Sequence, residues 1–167
     1  MSNRKGIGSH QSGVMLNDEW LTPPEIISLL GPFDLDPCAP IDRPWPTANK
    51  HYTVKDNGLL QNWEGYTWCN PPYGLQAGWW LEKLAMHNNG IALIFARTET
   101  AMFVKYVWKQ ATSLLFLYGR LNFYFVDGSR APANSGAPSV LVAYGPKADE
   151  MLKFHENNLK GKYIKLK

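Results

Sequence analysis

A length of 167 residues is most simply one domain with room for a sizeable core. With 45% hydrophobic residues, no run of 18 apolar ones and only two cysteines, Cys38 and Cys69, the chain reads as globular and cytoplasmic, not as a membrane span or a disulfide scaffold. A net charge of +3 permits a nucleic-acid partner without identifying one, and an aromatic content of 13% suits a dense core or partner surface before it suits base stacking.

Residues 1–17 are polar, include Arg4 and Lys5, and are expected to form a flexible arm and not a secretory signal. Residues 18–167 are expected to form the single domain. In Trp20-Leu21-Thr22-Pro23-Pro24-Glu25 the order of residue types predicts a helix start, with Thr22 as N-cap, Pro23 at the first helical position and Glu25 completing a capping box. The helix, residues 23–30, stops at Gly31-Pro32. Capping explains these residues, and the segment also lies where it can close over a ligand beside the next strand.

Phe33-Asp34-Leu35-Asp36-Pro37 alternates apolar and acidic residues, as in a short strand that ends in Asp-Pro. A carboxylate at the carboxyl end of an α/β strand stands where such sheets bind ligands; the alternative is an acidic turn residue. Residues 38–62 are proline-rich, with no continuous secondary structure expected, and ordered loops of that length are often functional.

Tyr66-Thr67-Trp68-Cys69 reads as a buried strand that meets Asn70-Pro71-Pro72-Tyr73-Gly74. Proline fixes φ, lacks an N–H and holds the preceding residue extended, so the chain must leave the sheet in a stiff corner. That corner presents the Asn70 amide, carbonyls with few competing donors, and a Tyr ring. It can accept the protons of an amino group while a ring stacks on the plane that carries it. A plain turn after a core strand is the alternative.

Ala77–His87 follows as a helix with Trp79, Trp80, Leu84 and Met86 expected inward. The apolar run of residues 91–95 is a strand buried on both faces, leaving through Arg97-Thr98-Glu99-Thr100 into a helix over residues 101–109. Strands are expected over residues 113–117, 122–126 and 139–144, with a loop over residues 127–136. Residues 147–157 read as helical and 160–167 as a basic edge strand. Strand alternates with helix and then follows strand, which argues for an α/β three-layer sandwich, mostly parallel, with a C-terminal antiparallel hairpin.

The ordered motifs carry a resemblance. They are Trp20-x-Thr22-Pro23, Phe33-Asp34-Leu35-Asp36-Pro37-Cys38-Ala39, Asp56-x-Gly58-Leu59 with Trp63, Trp68-Cys69-Asn70-Pro71-Pro72-Tyr73-Gly74, Ala96-Arg97-Thr98-x-Thr100, and Gly119-Arg120-Leu121-x-Phe123. From Trp20 to about Tyr144 the chain resembles the phage-type DNA adenine-N6 methyltransferases, the Dam family of phages, which depend on S-adenosyl-L-methionine. The resemblance implies a Rossmann-like class I methyltransferase fold, and the length leaves no room for a separate target-recognition domain.

It also implies roles. Asn70, Pro71, Pro72 and Tyr73 match the catalytic signature. Its Asn oxygen and the carbonyl of its first proline would accept the two hydrogens of the adenine amine, and Tyr73 would stack on a flipped base. Asp36 and Pro37, with Phe33 and Asp34 nearby, match the motif that holds the methionine end of the cofactor. Thr22 and Pro23 match the motif over the same pocket, and Asp56 would touch either the cofactor adenine or the target base. The loop after Asp36-Pro37 has no glycine, a trait of the phage-type members, and Asp42 is the candidate for the ribose. Arg97 and Arg120 at strand exits, and Arg130 in the loop 127–136, are candidates for DNA contact; solvated surface arginines are the alternative. No metal is expected. Other readings of the same signature are methylation of an RNA base or a protein glutamine amide, or a nucleic-acid-binding module that keeps the fold without catalysis.

Overall fold

A computed structural model of the chain describes residues 19–167; the N-terminal arm, with Arg4 and Lys5, lies outside the described residues. Three α-helices are labelled α1 (Pro24–Leu30), α2 (Ala77–His87) and α3 (Pro146–Phe154). The strands are β1 (Leu35–Asp36), β2 (Lys50–His51), β3 (Thr67–Cys69), β4 (Gly90–Phe95), β5 (Ser113–Leu117), β6 (Ser139–Tyr144) and β7 (Gly161–Lys165).

Among the described residues these strands form one seven-stranded sheet in the order β2-β1-β3-β4-β6-β5-β7. The pairs β1–β2, β1–β3 and β3–β4 are parallel, whereas β4–β6, β5–β6 and β5–β7 are antiparallel. β1 to β5 therefore run one way and β6 and β7 the other. β6 slots between β4 and β5 and β7 closes that edge beside β5, so the mixed α/β sheet is parallel from β2 to β4 and antiparallel from β4 to β7.

Side-chain alternation divides the core. Trp68, Ile91, Leu93, Leu115, Leu141 and Ala143 join α1 and α3 residues Ile26, Leu30, Ala148 and Leu152 in one cluster. Their strand neighbours Cys69, Ala92, Ile94, Leu114, Val140 and Val142 join Trp80, Leu81, Leu84, Phe103 and Val107 in the other. A one-residue slip would exchange these sets, so the packing fixes the register. The sheet edges are blunted, β2 by its shortness and β7 by Lys162 and Lys165.

Several local expectations are corrected. Pro23, not Thr22, is the N-cap of α1 and makes no side-chain capping bond. With Pro23 at the N-cap, Thr22 stands one residue before the helix and the capping box does not form; its Oγ1 accepts from Asn70 Nδ2. On α2, Trp80, Leu81 and Leu84 make the inward stripe, while Trp79 and Met86 face solvent. Three- and four-residue spacing puts Ala77, Trp80, Leu81 and Leu84 together, and Trp79 falls about 150° from the middle of that stripe at 3.6 residues per turn. The helix expected over residues 101–109 is a π-helix at Phe103–Trp108. Residues 122–126 do not form a ladder strand; Tyr124 alone bridges, to Leu21 and to Arg130. Within the proline-rich stretch lie β2 and a 3-10 turn, Gly58–Leu60.

Candidate active site

β1 has β2 on one side and β3 on the other, all parallel, so the strand order reverses at β1. Chains leaving these strands diverge and open a crevice at their carboxyl ends, where open α/β sheets take ligands. A cleft of about 510 Å³ lies there, within the range of about 300–1,000 Å³ common to small-molecule sites. Its walls are residues 36–40 and Thr47 after β1, Thr53, Val54 and residues 57–59 after β2, and residues 70–73 with Gln76 after β3. Residues 19–22 flank it, and Trp68 and Trp80 contribute from the core.

Asn70 is oriented by the N-terminal segment. Its Nδ2 donates to the Trp20 carbonyl and to Thr22 Oγ1, each at 3.4 Å. A carbonyl accepts only, so the Trp20 contact decides which way the amide points. Oδ1 then accepts no hydrogen bond among the described residues and belongs to a cleft-lining side chain. The segment is itself pinned, since Leu21 and Tyr124 exchange backbone bonds of 2.9 and 3.0 Å. Pro71 and Pro72 bring no N–H to the corner, and the Cys38 thiol donates to the Asn70 backbone carbonyl at 3.3 Å.

Asp36 is 3% exposed. Its carboxylate accepts from the Cys38 N–H at 3.2 Å and from Thr47 Oγ1, which ties the loop after β1 to its own end. Burial pushes the Asp36 carboxyl up to about 6, against the pull of Thr47, the Cys38 N–H and the Arg43 charge. Unfolded, this group titrates near 3.9. Between those values the folded chain holds the proton that the unfolded chain releases. Stability of the free protein therefore falls as pH rises from about 4 to about 6, by an amount on the order of 3 kcal/mol. Asp36→Asn should remove that component, read as the difference between the two proteins' denaturant midpoints across pH.

The opposite wall is built by close approach. A Cβ on Gly58 would stand 1.9 Å from the Pro37 carbonyl oxygen. Trp63 Nε1 donates to the Gly58 carbonyl at 2.8 Å, and Lys83 Nζ donates to the Leu59 and Gln61 carbonyls at 2.6 and 2.5 Å. The Tyr73 ring stacks on Phe95 with centroids 4.4 Å apart and planes 5° from parallel, and Phe123 meets it edge-on at 6.5 Å. Burial raises the Tyr73 phenol, so it stays neutral.

Thr22, Asp36, Pro37, Asn70, Pro71, Pro72 and Tyr73 thus share one cleft, and Pro23, Phe33, Asp34 and Asp56 do not line it. Phe33 is a core residue that stacks on Tyr66 at 4.6 Å and lies 5.4 Å from Trp68. Asp34 Oδ2 accepts the Tyr66 N–H at 2.7 Å, fastening the amino end of β1 to β3. Asp56 accepts from the Thr53 N–H at 2.7 Å and its hydroxyl at 3.1 Å, which holds the exposed carboxyl below the usual carboxylate range. Asp42 lines a separate shallow hollow with Arg43 and Trp45.

Arg97, Arg120 and Arg130 are exposed and outside the cleft. The Arg97 guanidinium lies 6.0 Å from the Phe95 ring, and Arg120 Nη1 donates to the Ser135 carbonyl at 3.2 Å. Among the described residues no group of three or more His, Cys, Asp or Glu stands together to hold a metal ion. Thr47, Trp80 and Gln76 line the cleft without any local pattern that marks them in the sequence.

Sheet and cleft together define an α/β protein with an open cleft at the carboxyl edge of its parallel strands. Comparison gives the family: the chain matches DNA N-6-adenine-methyltransferase (Dam) over residues 9–163 and belongs to that family. No curated protein and no solved structure matches it. The family's activity is methyl transfer to adenine N6 in DNA, which takes DNA as substrate and needs a methyl donor. No helix among the described residues is long and apolar enough to cross a membrane.

Proposed function

We propose that the protein transfers a methyl group from S-adenosyl-L-methionine to N6 of an adenine flipped out of DNA into the corner at Asn70-Pro71-Pro72-Tyr73. The observation that carries this reading is the orientation of Asn70, whose Nδ2 is engaged by Trp20 and Thr22 while Oδ1 is left for a ligand's donor. The cleft also fits the donor chemically. Asp36 is a buried carboxylate whose charged form burial disfavours, and a cationic ligand group beside it would offset that cost. Donor affinity then rises with pH up to about 6 and levels off above it.

When bound, S-adenosyl-L-methionine supplies the electrophilic methyl. Asp36 and Pro37 hold its methionine end, with Thr22 and Pro23 over the same pocket. Phe33 acts through Trp68, Asp34 by fixing β1 against β3, and Asp56 by holding Thr53 in the wall. At the acceptor, Asn70 Oδ1 and the Pro71 carbonyl accept the two N6 hydrogens, which frees a lone pair otherwise delocalised into the ring. Such preplaced acceptors act on the charge that develops in the transition state. Tyr73 stacks on the base, and holding amine and methyl in line supplies much of the remaining acceleration. The amine of a paired adenine is engaged in the duplex, so the base must leave the stack, at a cost of a few kcal/mol.

Helix-bearing core clusters on alternate sides of the sheet support a Rossmann-like three-layer class I methyltransferase domain. Arg97, Arg120 and Arg130, all exposed, then contact DNA phosphates or a groove. The setting we propose is a host cytoplasm, where methylation masks phage DNA from restriction. The acceptor is tested by incubating the protein and labelled donor with duplex DNA, adenine-free DNA, RNA and protein in parallel. Label in adenine-containing DNA alone is expected. Equal label in adenine-free DNA, or label only in RNA or protein, overturns the reading.

A further inference from the structure

A base that leaves the stack leaves a gap, and flipped or kinked duplexes are commonly held open by an apolar side chain inserted between base steps. The filler must be apolar, free of contacts within the protein, and carried close to the pocket that receives the base. We propose that Leu75 is that side chain. The proposal rests on the adenine-methyltransferase reading above.

Leu75 is 100% exposed, the most exposed of the large apolar side chains among the described residues. It is bracketed by two cleft-lining residues, Tyr73 and Gln76. Gly74, with φ +107°, turns the chain outward, and a Cβ there would meet nothing within 4 Å, so the tip stands clear of the body. The Ala77 N–H closes the turn on the Gly74 carbonyl at 3.2 Å, anchoring the tip to the start of α2. On its other side the tip is stiffened by Pro71-Pro72 and by Tyr73 stacked on Phe95. A leucine in water on a braced turn has no folding role. It sits two residues from the ring expected to receive the base.

The test compares the wild type with Leu75→Ala and Leu75→Phe on a duplex and on the same sequence as a single strand, alongside thermal midpoint and oligomeric state. Because Leu75 makes no packing contact, both variants should fold with an unchanged midpoint. Leu75→Ala is expected to lose about tenfold in methylation of the duplex, the scale of one side chain's apolar burial, with single-strand methylation unchanged. Leu75→Phe should retain the duplex activity. Fluorescence of 2-aminopurine at the target position should show less unstacking with Leu75→Ala. Equal loss on both substrates, no loss on either, wild-type activity confined to single strands, or a Leu75-dependent change of oligomeric state each overturns the wedge while leaving the methyltransferase reading in place. A wild type that binds the donor and methylates neither DNA overturns both.

Discussion

Asn70→Ala lowers methyl transfer by about two to three orders of magnitude, the cost of removing one preplaced transition-state partner, and leaves donor affinity close to unchanged. The expectation follows from how the two ends of the amide are used. Nδ2 makes two long contacts of 3.4 Å, so truncation removes little from the fold, while Oδ1 is the acceptor that the reaction needs. Single-turnover methylation measures the loss, and calorimetry with S-adenosyl-L-methionine measures what is retained. Asn70→Asp keeps an oxygen but sets a carboxylate against the Trp20 carbonyl, so it should be impaired as well. If Asn70→Ala lost donor binding and transfer together, Asn70 would be a structural support of the cleft.

Gly58→Ala should weaken donor binding by about ten- to a hundredfold and lower stability by about 1–3 kcal/mol, the usual cost of overpacking. The added carbon would lie 1.9 Å from the Pro37 carbonyl oxygen and 3.3 Å from the Trp80 ring, and neither is a flexible end that can swing away. The wall after β2 must therefore back off from the wall after β1. Trp63 and Lys83, bonded to the carbonyls of Gly58, Leu59 and Gln61, resist that movement. Donor titration and a thermal melt of the same variant separate the two effects. A lower midpoint with unchanged affinity would mean that this contact holds the fold without shaping the cleft.

The parts of the site legible in the sequence are those that one short segment fixes by itself. Asp36-Pro37 and Asn70-Pro71-Pro72-Tyr73 each end a strand with residues that bar its continuation, and parallel pairing brings both ends to one edge. What was not legible depends on distant partners. Thr22 looks like a cap until the Asn70 amide takes its hydroxyl. Thr47 reaches Asp36 across a loop whose prolines show no period. The inward set of α2 is not legible because five large apolar residues, Trp79, Trp80, Leu81, Leu84 and Met86, lie on it and only their angle to the sheet decides which of them are covered. Insertion of β6 between β4 and β5 is a choice of pairing partner, which alternation within a strand does not encode. Phe33 and Asp34 precede β1 and lie away from its carboxyl end: Phe33 packs on Tyr66 and Trp68 in the core, and Asp34 accepts the Tyr66 N–H.

The most direct test is nucleoside mass spectrometry of duplex DNA after incubation with the protein and S-adenosyl-L-methionine labelled in its methyl group. The account predicts the label in N6-methyladenine, and its loss with Asn70→Ala. Donor bound by calorimetry with no label in any base, or label in cytosine, would contradict it.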